Sequence, residues 1–137
     1  EDIAQLRKAV QLAPEMPEPL FQLAYRTQWR AKDKAGAIAL YEEYLNRFGG
    51  GEHTDTALIY LGGWYQTQDP ARGLSLLEKY GGNPLNDGTW SELQLRRVRL
   101  LKQLGRADEA RAALQLLLND VRNTKVQESR ELEASLR

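Results

Sequence analysis

The chain has 137 residues, 42% of them hydrophobic and 28% charged, enough for one compact unit and small for two. Nineteen basic residues balance nineteen acidic ones, so no global charge favours nucleic acid and recognition has to come from local patches. Without cysteine there is no disulfide framework, thiolate nucleophile or Cys-based zinc site, and no apolar run approaches the roughly 20 residues that span a bilayer.

Ile3, Leu6, Ala9, Val10 and Leu12 share one helical face, and Pro14 ends that run. The helical pattern starts at the first residue without a cap, which implies that a longer protein continues ahead of it. Residues 18–31 carry Leu20, Leu23, Ala24 and Thr27 at helical spacing, and residues 35–48 carry Ala37, Ile38, Tyr41, Tyr44, Leu45 and Phe48. These are two helices joined by a short polar turn. Gly49 to Gly51 break the pattern, and Thr54 or Asp55 caps the next helix, which runs through Leu58, Leu61 and Tyr65.

Asp69 followed by Pro70 reads as an N-cap with proline at the first helical position, opening a helix through Leu74, Leu77 and Tyr80. Thr89 and Glu92 have capping-box spacing, so the next helix is expected to start at Thr89 and to run through Leu93, Val98, Leu101 and Leu104. After Gly105 a partner helix follows from about Ala107 through Ala110, Leu114, Leu117 and Leu118. Residues 119–137 are mostly polar, with Val121, Val126, Leu132 and Leu136 thinly spaced and an i, i+4 pair of Glu133 with Arg137; they read as a solvent-facing helical extension or cap. No alternation at period two competes, and the expected class is all-α.

The decisive pattern is self-similarity. Leu6, Tyr41, Leu77 and Leu114 hold the same place in the second helix of successive units, 35, 36 and 37 residues apart. Three residues after each comes a second packing position: Ala9, Tyr44, Tyr80 and Leu117. Periods of this size belong to stacked helical hairpins, where each pair buries its apolar face only against a neighbour.

On these residues the chain resembles the tetratricopeptide repeat family. The likeness is clearest in residues 100–118, LLKQLGRADEARAALQLLL, with its Gly105 turn, its helix-starting Asp-Glu-Ala and Ala110. Residues 2–14, DIAQLRKAVQLAP, are similar to the second helix of a preceding repeat with its closing Pro14. The resemblance covers residues 2 to about 120. It implies a right-handed superhelix of antiparallel helix pairs, a single domain of residues 1–137. Residues 1–14 are then the second helix of a truncated repeat, 17–48, 54–80 and 89–118 the pairs, and 119–137 the extension. Extra or missing residues near 31–36 and 68–72, Gly73 where the family prefers alanine, and glycines in place of a closing proline depart from the pattern and imply an irregular superhelix.

The family's groove-facing positions map here onto Phe21, Gln22, Tyr25, Gln28 and Trp29, then Tyr60, Gly63, Gln66 and Thr67, then Arg96, Arg99, Lys102 and Gln103. That implies an aromatic and amide stretch leading into a basic one, suited to a peptide with an apolar part and an acidic end. Packing between helices is the competing account of Phe21, Tyr25 and Trp29, and a solvated face that of Arg96, Arg99 and Lys102. Trp64 and Trp90 read as core or capping residues. Some family members clamp a chaperone's terminal carboxylate with lysine and asparagine; here Phe21 and Tyr25 stand at those positions and only Arg96 matches, so that partner is rejected.

No catalytic constellation emerges. His53 is the only histidine, beside Glu52 and Asp55, and reads as an exposed loop histidine rather than a metal ligand, because a flexible glycine loop fixes ligand geometry poorly. Neither glycine cluster precedes the Gly-Lys-Ser/Thr of a phosphate loop. The expectation is therefore no enzyme, no metal and no cofactor. The leading function is a scaffold or adaptor that binds a protein partner in its groove, alongside neighbouring repeats of a longer bacterial multi-repeat chain. The alternatives are a structural spacer, self-association through the repeat faces, or an envelope scaffold for exopolysaccharide export. No nucleic acid or membrane span is expected. The missing cysteines allow either redox compartment, and the envelope analogy tips the expectation towards the periplasm.

Overall fold

The computed structural model describes residues 2–82 and 84–137, and every regular element among them is an α-helix. In chain order these are α1 (Ile3–Leu12), α2 (Pro17–Trp29), α3 (Lys34–Phe48), α4 (Thr54–Gln68), α5 (Pro70–Tyr80), α6 (Asp87–Gln103), α7 (Ala107–Leu118) and α8 (Val126–Ser135). They form two compact units that part inside α4, one ending at Ala57 and the other beginning at Leu58. No helix among the described residues is long and apolar enough to cross a membrane.

In the first unit, α2 packs against both α1 and α3. Its Leu20, Leu23 and Ala24 are buried with Leu6 of α1 and with Ala37, Tyr41, Tyr44 and Leu45 of α3. Each fully buried leucine contributes about 1.5–3 kcal/mol of transfer free energy. Tyr41 can be buried whole because its hydroxyl donates to Gln28 Oε1 at 2.7 Å. The uncapped start expected for α1 is corrected by Asp2, whose carboxylate accepts the Gln5 N–H at 2.8 Å while the Gln5 side chain accepts the Asp2 N–H at 3.0 Å. This is a full capping box that uses Gln5 rather than glutamate.

In the second unit α6 packs against α5 and α7, and α7 against α8. Leu74, Leu77, Leu93, Val98, Leu100, Leu101, Ala110, Leu114 and Leu117 are buried there. All four repeat anchors, Leu6, Tyr41, Leu77 and Leu114, are therefore core residues of their own units. Helix α6 starts two residues before the expected Thr89, because Asn86 takes the N-cap and accepts the Thr89 N–H at 2.8 Å. Asp69 and Pro70 open α5 as the sequence predicts.

The C-terminal segment is tied down more firmly than a solvated extension would be. Buried Ser91 of α6 lies 3.0 Å from the Arg122 carbonyl and accepts the Thr124 N–H at 2.9 Å. Leu132 of α8 and Leu136 just after it are buried, while Val121 is fully exposed. Arg122 grips the Asp120 carboxylate through Nε at 3.0 Å and a terminal nitrogen at 2.8 Å, and its guanidinium covers the Trp90 ring at 4.0 Å. Trp90 is thus a packing residue whose face is closed by a cation.

Two predictions follow from this packing. A Cβ at Gly73 would stand 3.0 Å from the Tyr65 Cβ and 3.4 Å from Leu100 Cδ2. Tyr65 Cβ sits next to the backbone and cannot swing away. Overpacking of about 1–3 kcal/mol should therefore outweigh the helix-propensity gain of about 1 kcal/mol, so Gly73→Ala lowers stability in urea unfolding. An unchanged or higher midpoint would mean that α4 and α5 move apart at no cost.

Hydrogen bonds from the Arg122 guanidinium, and then from its backbone N–H, hold the Asp120 carboxyl down at about 2, against an ordinary 3.8. A depressed carboxyl stabilises the fold above its ordinary value, and that contribution disappears as pH falls from about 4 towards 2. In Arg122→Ala, NMR titration should find Asp120 back near its ordinary value, with the acid dependence of stability reduced over that window.

Candidate functional site

The expected contact positions fall into two groups, one in each unit. In the first unit α2 carries Phe21, Gln22, Tyr25, Gln28 and Trp29. Phe21 is only 6% exposed and packs among Tyr25, Tyr41, Tyr44 and His53. Gln28 is engaged by Tyr41, and Gln22 donates to Glu18 at 2.9 Å. The open positions are Tyr25, 38% exposed, and Trp29, 53% exposed, with ring centroids 6.3 Å apart one helical turn from each other.

In the second unit, α4 carries Tyr60, Gly63 and Gln66, all half-buried, and Thr67, whose hydroxyl bonds back to the Trp64 carbonyl. Helix α6 carries Arg96, Arg99, Lys102 and Gln103. The three cations recur every three residues, so they form one ridge along the helix. The structure brings Gln66, Arg99, Lys102 and Gln103 together around a cleft of about 410 Å³, joined by Leu132 of α8. Tyr60, Gly63 and Thr67 do not line it.

Arg96 plays a different part from its two neighbours. Its guanidinium donates to Gln66 Oε1, and its stem crosses α4 at Gly62, where an added Cβ would come within 3.2 Å of Arg96 Cγ. Two adjacent glycines inside a helix cost about 1 kcal/mol each relative to alanine, and at Gly62 the close approach of this arginine accounts for the first of them. Burial pulls the Arg96 guanidinium down from its ordinary value, and the charge of Arg99 adds to that effect. Arg96 therefore fixes Gln66 at the edge of the cleft.

Arg99 and Lys102 supply the charge. Lys102 donates to Ser135 Oγ at 3.0 Å, a neutral partner, and Arg99 makes no hydrogen bond or ion pair among the described residues. No carboxylate lines the cleft they share. A smaller neighbouring cleft of about 130 Å³, between Arg96, Arg99 and Lys125, does contain Glu92 and Glu128, so the positive potential is concentrated towards Lys102.

Sequence reasoning did not assign Leu132 or Ser135 to this site, because they come from α8 and reach the α6 cations only through packing between segments about thirty residues apart, which no local pattern encodes. Comparison with known protein families, with curated proteins and with solved structures returns no match.

The division of labour predicts unequal stability effects. Arg96→Ala removes a hydrogen bond and a packed stem and should cost about 1–2 kcal/mol. Arg99→Gln removes repulsion without breaking a bond and should stay within about 0.5 kcal/mol of the parent, or exceed it. Thermal melts of the two variants would check this, and a large loss from Arg99→Gln would place Arg99 in the scaffold instead.

Proposed function

We propose that this chain is an interaction scaffold of the tetratricopeptide type, its helix pairs stacked as that family's right-handed superhelix, and that it binds an acidic segment of a protein partner. The observation that carries the reading is the cleft of Gln66, Arg99, Lys102, Gln103 and Leu132, where two cations without carboxylate partners stand beside two amides and one apolar wall. Arginine matches a carboxylate with oriented donors, lysine adds a point charge, and the amides accept or donate to a peptide backbone. Leu132 offers contact for an apolar side chain flanking the acidic one. The helical fold, and the burial of all four repeat anchors, support the family resemblance.

A short fluorescein-labelled peptide of Asp, Glu and Leu tests this by anisotropy. Binding should weaken steeply with salt, since the charges meet at a solvent-exposed cleft. Arg99→Glu should lower affinity roughly tenfold or more, about 1.4 kcal/mol or above. Equal binding by Arg99→Glu, or equal binding of a Gln, Asn and Leu peptide, would contradict the proposal.

The exposed Tyr25 and Trp29 pair favours a second reading, a polymer-binding face on α2, since aromatic rings give flat platforms. Its signature would be fluorescence quenching by a neutral oligosaccharide that is lost in Trp29→Ala and unaffected by Arg99→Glu.

A further inference from the structure

Remote from the α6 ridge in sequence, the first unit gathers a separate set of metal-ligating groups. Glu18 near the start of α2, and Glu52 and His53 just ahead of α4, each place one donor atom so that all three lie within 4.8 Å of one another. His53 Nε2 is 2.5 Å from Glu18 Oε2, and Gln22 donates to the other Glu18 oxygen at 2.9 Å. Hydrogen bonds from Gln22 and then from His53 hold the Glu18 carboxyl below its ordinary value. The Glu52 carboxylate has no hydrogen bond or ion pair among the described residues.

His53 is not the exposed, loosely held loop residue the sequence suggests. Its ring stacks on Phe21 with centroids 3.8 Å apart and planes 5° from parallel, and it meets the Tyr44 ring edge-on at 6.2 Å. Its backbone N–H donates to the hydroxyl of buried Tyr44 at 3.0 Å. The glycine loop ahead of it is held by the Gly51 N–H to the Phe48 carbonyl at 2.9 Å and the Gly50 N–H to Thr54 Oγ1 at 2.9 Å. The imidazole nitrogen is thus a fixed point, and Glu18 takes the place that the sequence offered to Asp55.

We propose that Glu18, Glu52 and His53 form a binding site for a divalent transition-metal cation of the zinc type. Two carboxylates brought this close repel each other, and a cation between them converts that repulsion into attraction. One imidazole nitrogen and two carboxylate oxygens suit zinc and its borderline neighbours better than calcium or magnesium, which take oxygen alone. Zinc bonds of about 2.0–2.2 Å put neighbouring ligand atoms about 3.4 Å apart in a tetrahedron. The present spacings, from 2.5 Å between His53 and Glu18 up to the 4.8 Å limit of the cluster, bracket that value. Both glutamates are exposed and can adjust by rotation while the histidine stays still. Water fills the remaining position, and the Gln22 hydrogen bond orients Glu18 from the outer shell.

Histidine occurs once in the chain and cysteine not at all, so the test is unusually clean. Zinc chloride titrated into the metal-free protein should bind one to one by calorimetry, raise the melting temperature and weaken on acidification. His53→Gln should abolish binding. Because it also removes the ring stack on Phe21, Glu52→Gln is the second variant: it breaks no contact, should keep the parent's helicity, and should lower zinc affinity tenfold or more. No heat and no melting shift with zinc would overturn the proposal and leave the histidine and Glu18 as a hydrogen-bonded clasp. Binding that persists unchanged in both variants would also overturn it, assigning the zinc to scattered surface carboxylates.

Discussion

No helix of this chain is stable by itself, because each carries one apolar stripe that is shielded only when a neighbouring helix covers it. Isolated helices of 10–17 residues are marginal in water. Burial of Leu6 and Tyr41 in one unit, and of Leu77 and Leu114 in the other, is the contact on which the caps, turns and surface groups depend. Tyr41 shows how tightly this is drawn, since a large polar-tipped ring enters the core with its hydroxyl donating a hydrogen bond to Gln28 on the facing helix.

That economy leaves the outward faces available for other chemistry. On α6, Arg96 is absorbed into the scaffold by Gln66 and the narrow backbone at Gly62, whereas Arg99 and Lys102 project charge into a cleft that no carboxylate lines. A helix that holds three like charges in a row accepts some repulsion, and a bound anion would reverse its sign. In the first unit the like charges are negative: Glu18 and Glu52 meet beside the one imidazole. The two proposals therefore rest on the same argument with opposite signs, applied to separate residues.

Most of the helices were legible because apolar spacing and local caps are encoded within a few residues. The Asp69 and Pro70 start and the Gly105 break are examples. The capping box at Asp2 was overlooked because Gln5 stands where glutamate is usual, and the start of α6 was misplaced because Asn86 competes with Thr89 for the same role. The candidate site was legible only in part. The family resemblance singled out Gln66, Arg99, Lys102 and Gln103 on two helices, but nothing local shows that Leu132 completes their cleft or that Arg96 is occupied elsewhere. The histidine illustrates the same limit, since its setting is made by Phe21 and Glu18, more than thirty residues away.

The most direct test of the central claim, that the open end of the α6 ridge receives an acidic segment, is to map where such a segment lands. NMR spectra of isotope-labelled protein should be recorded with and without the unlabelled Asp, Glu and Leu peptide. The account predicts shifts concentrated at Gln66, Arg99, Lys102, Gln103 and Leu132, with the first unit unmoved. Shifts confined to Tyr25 and Trp29, or spread evenly over every lysine and arginine, would contradict it.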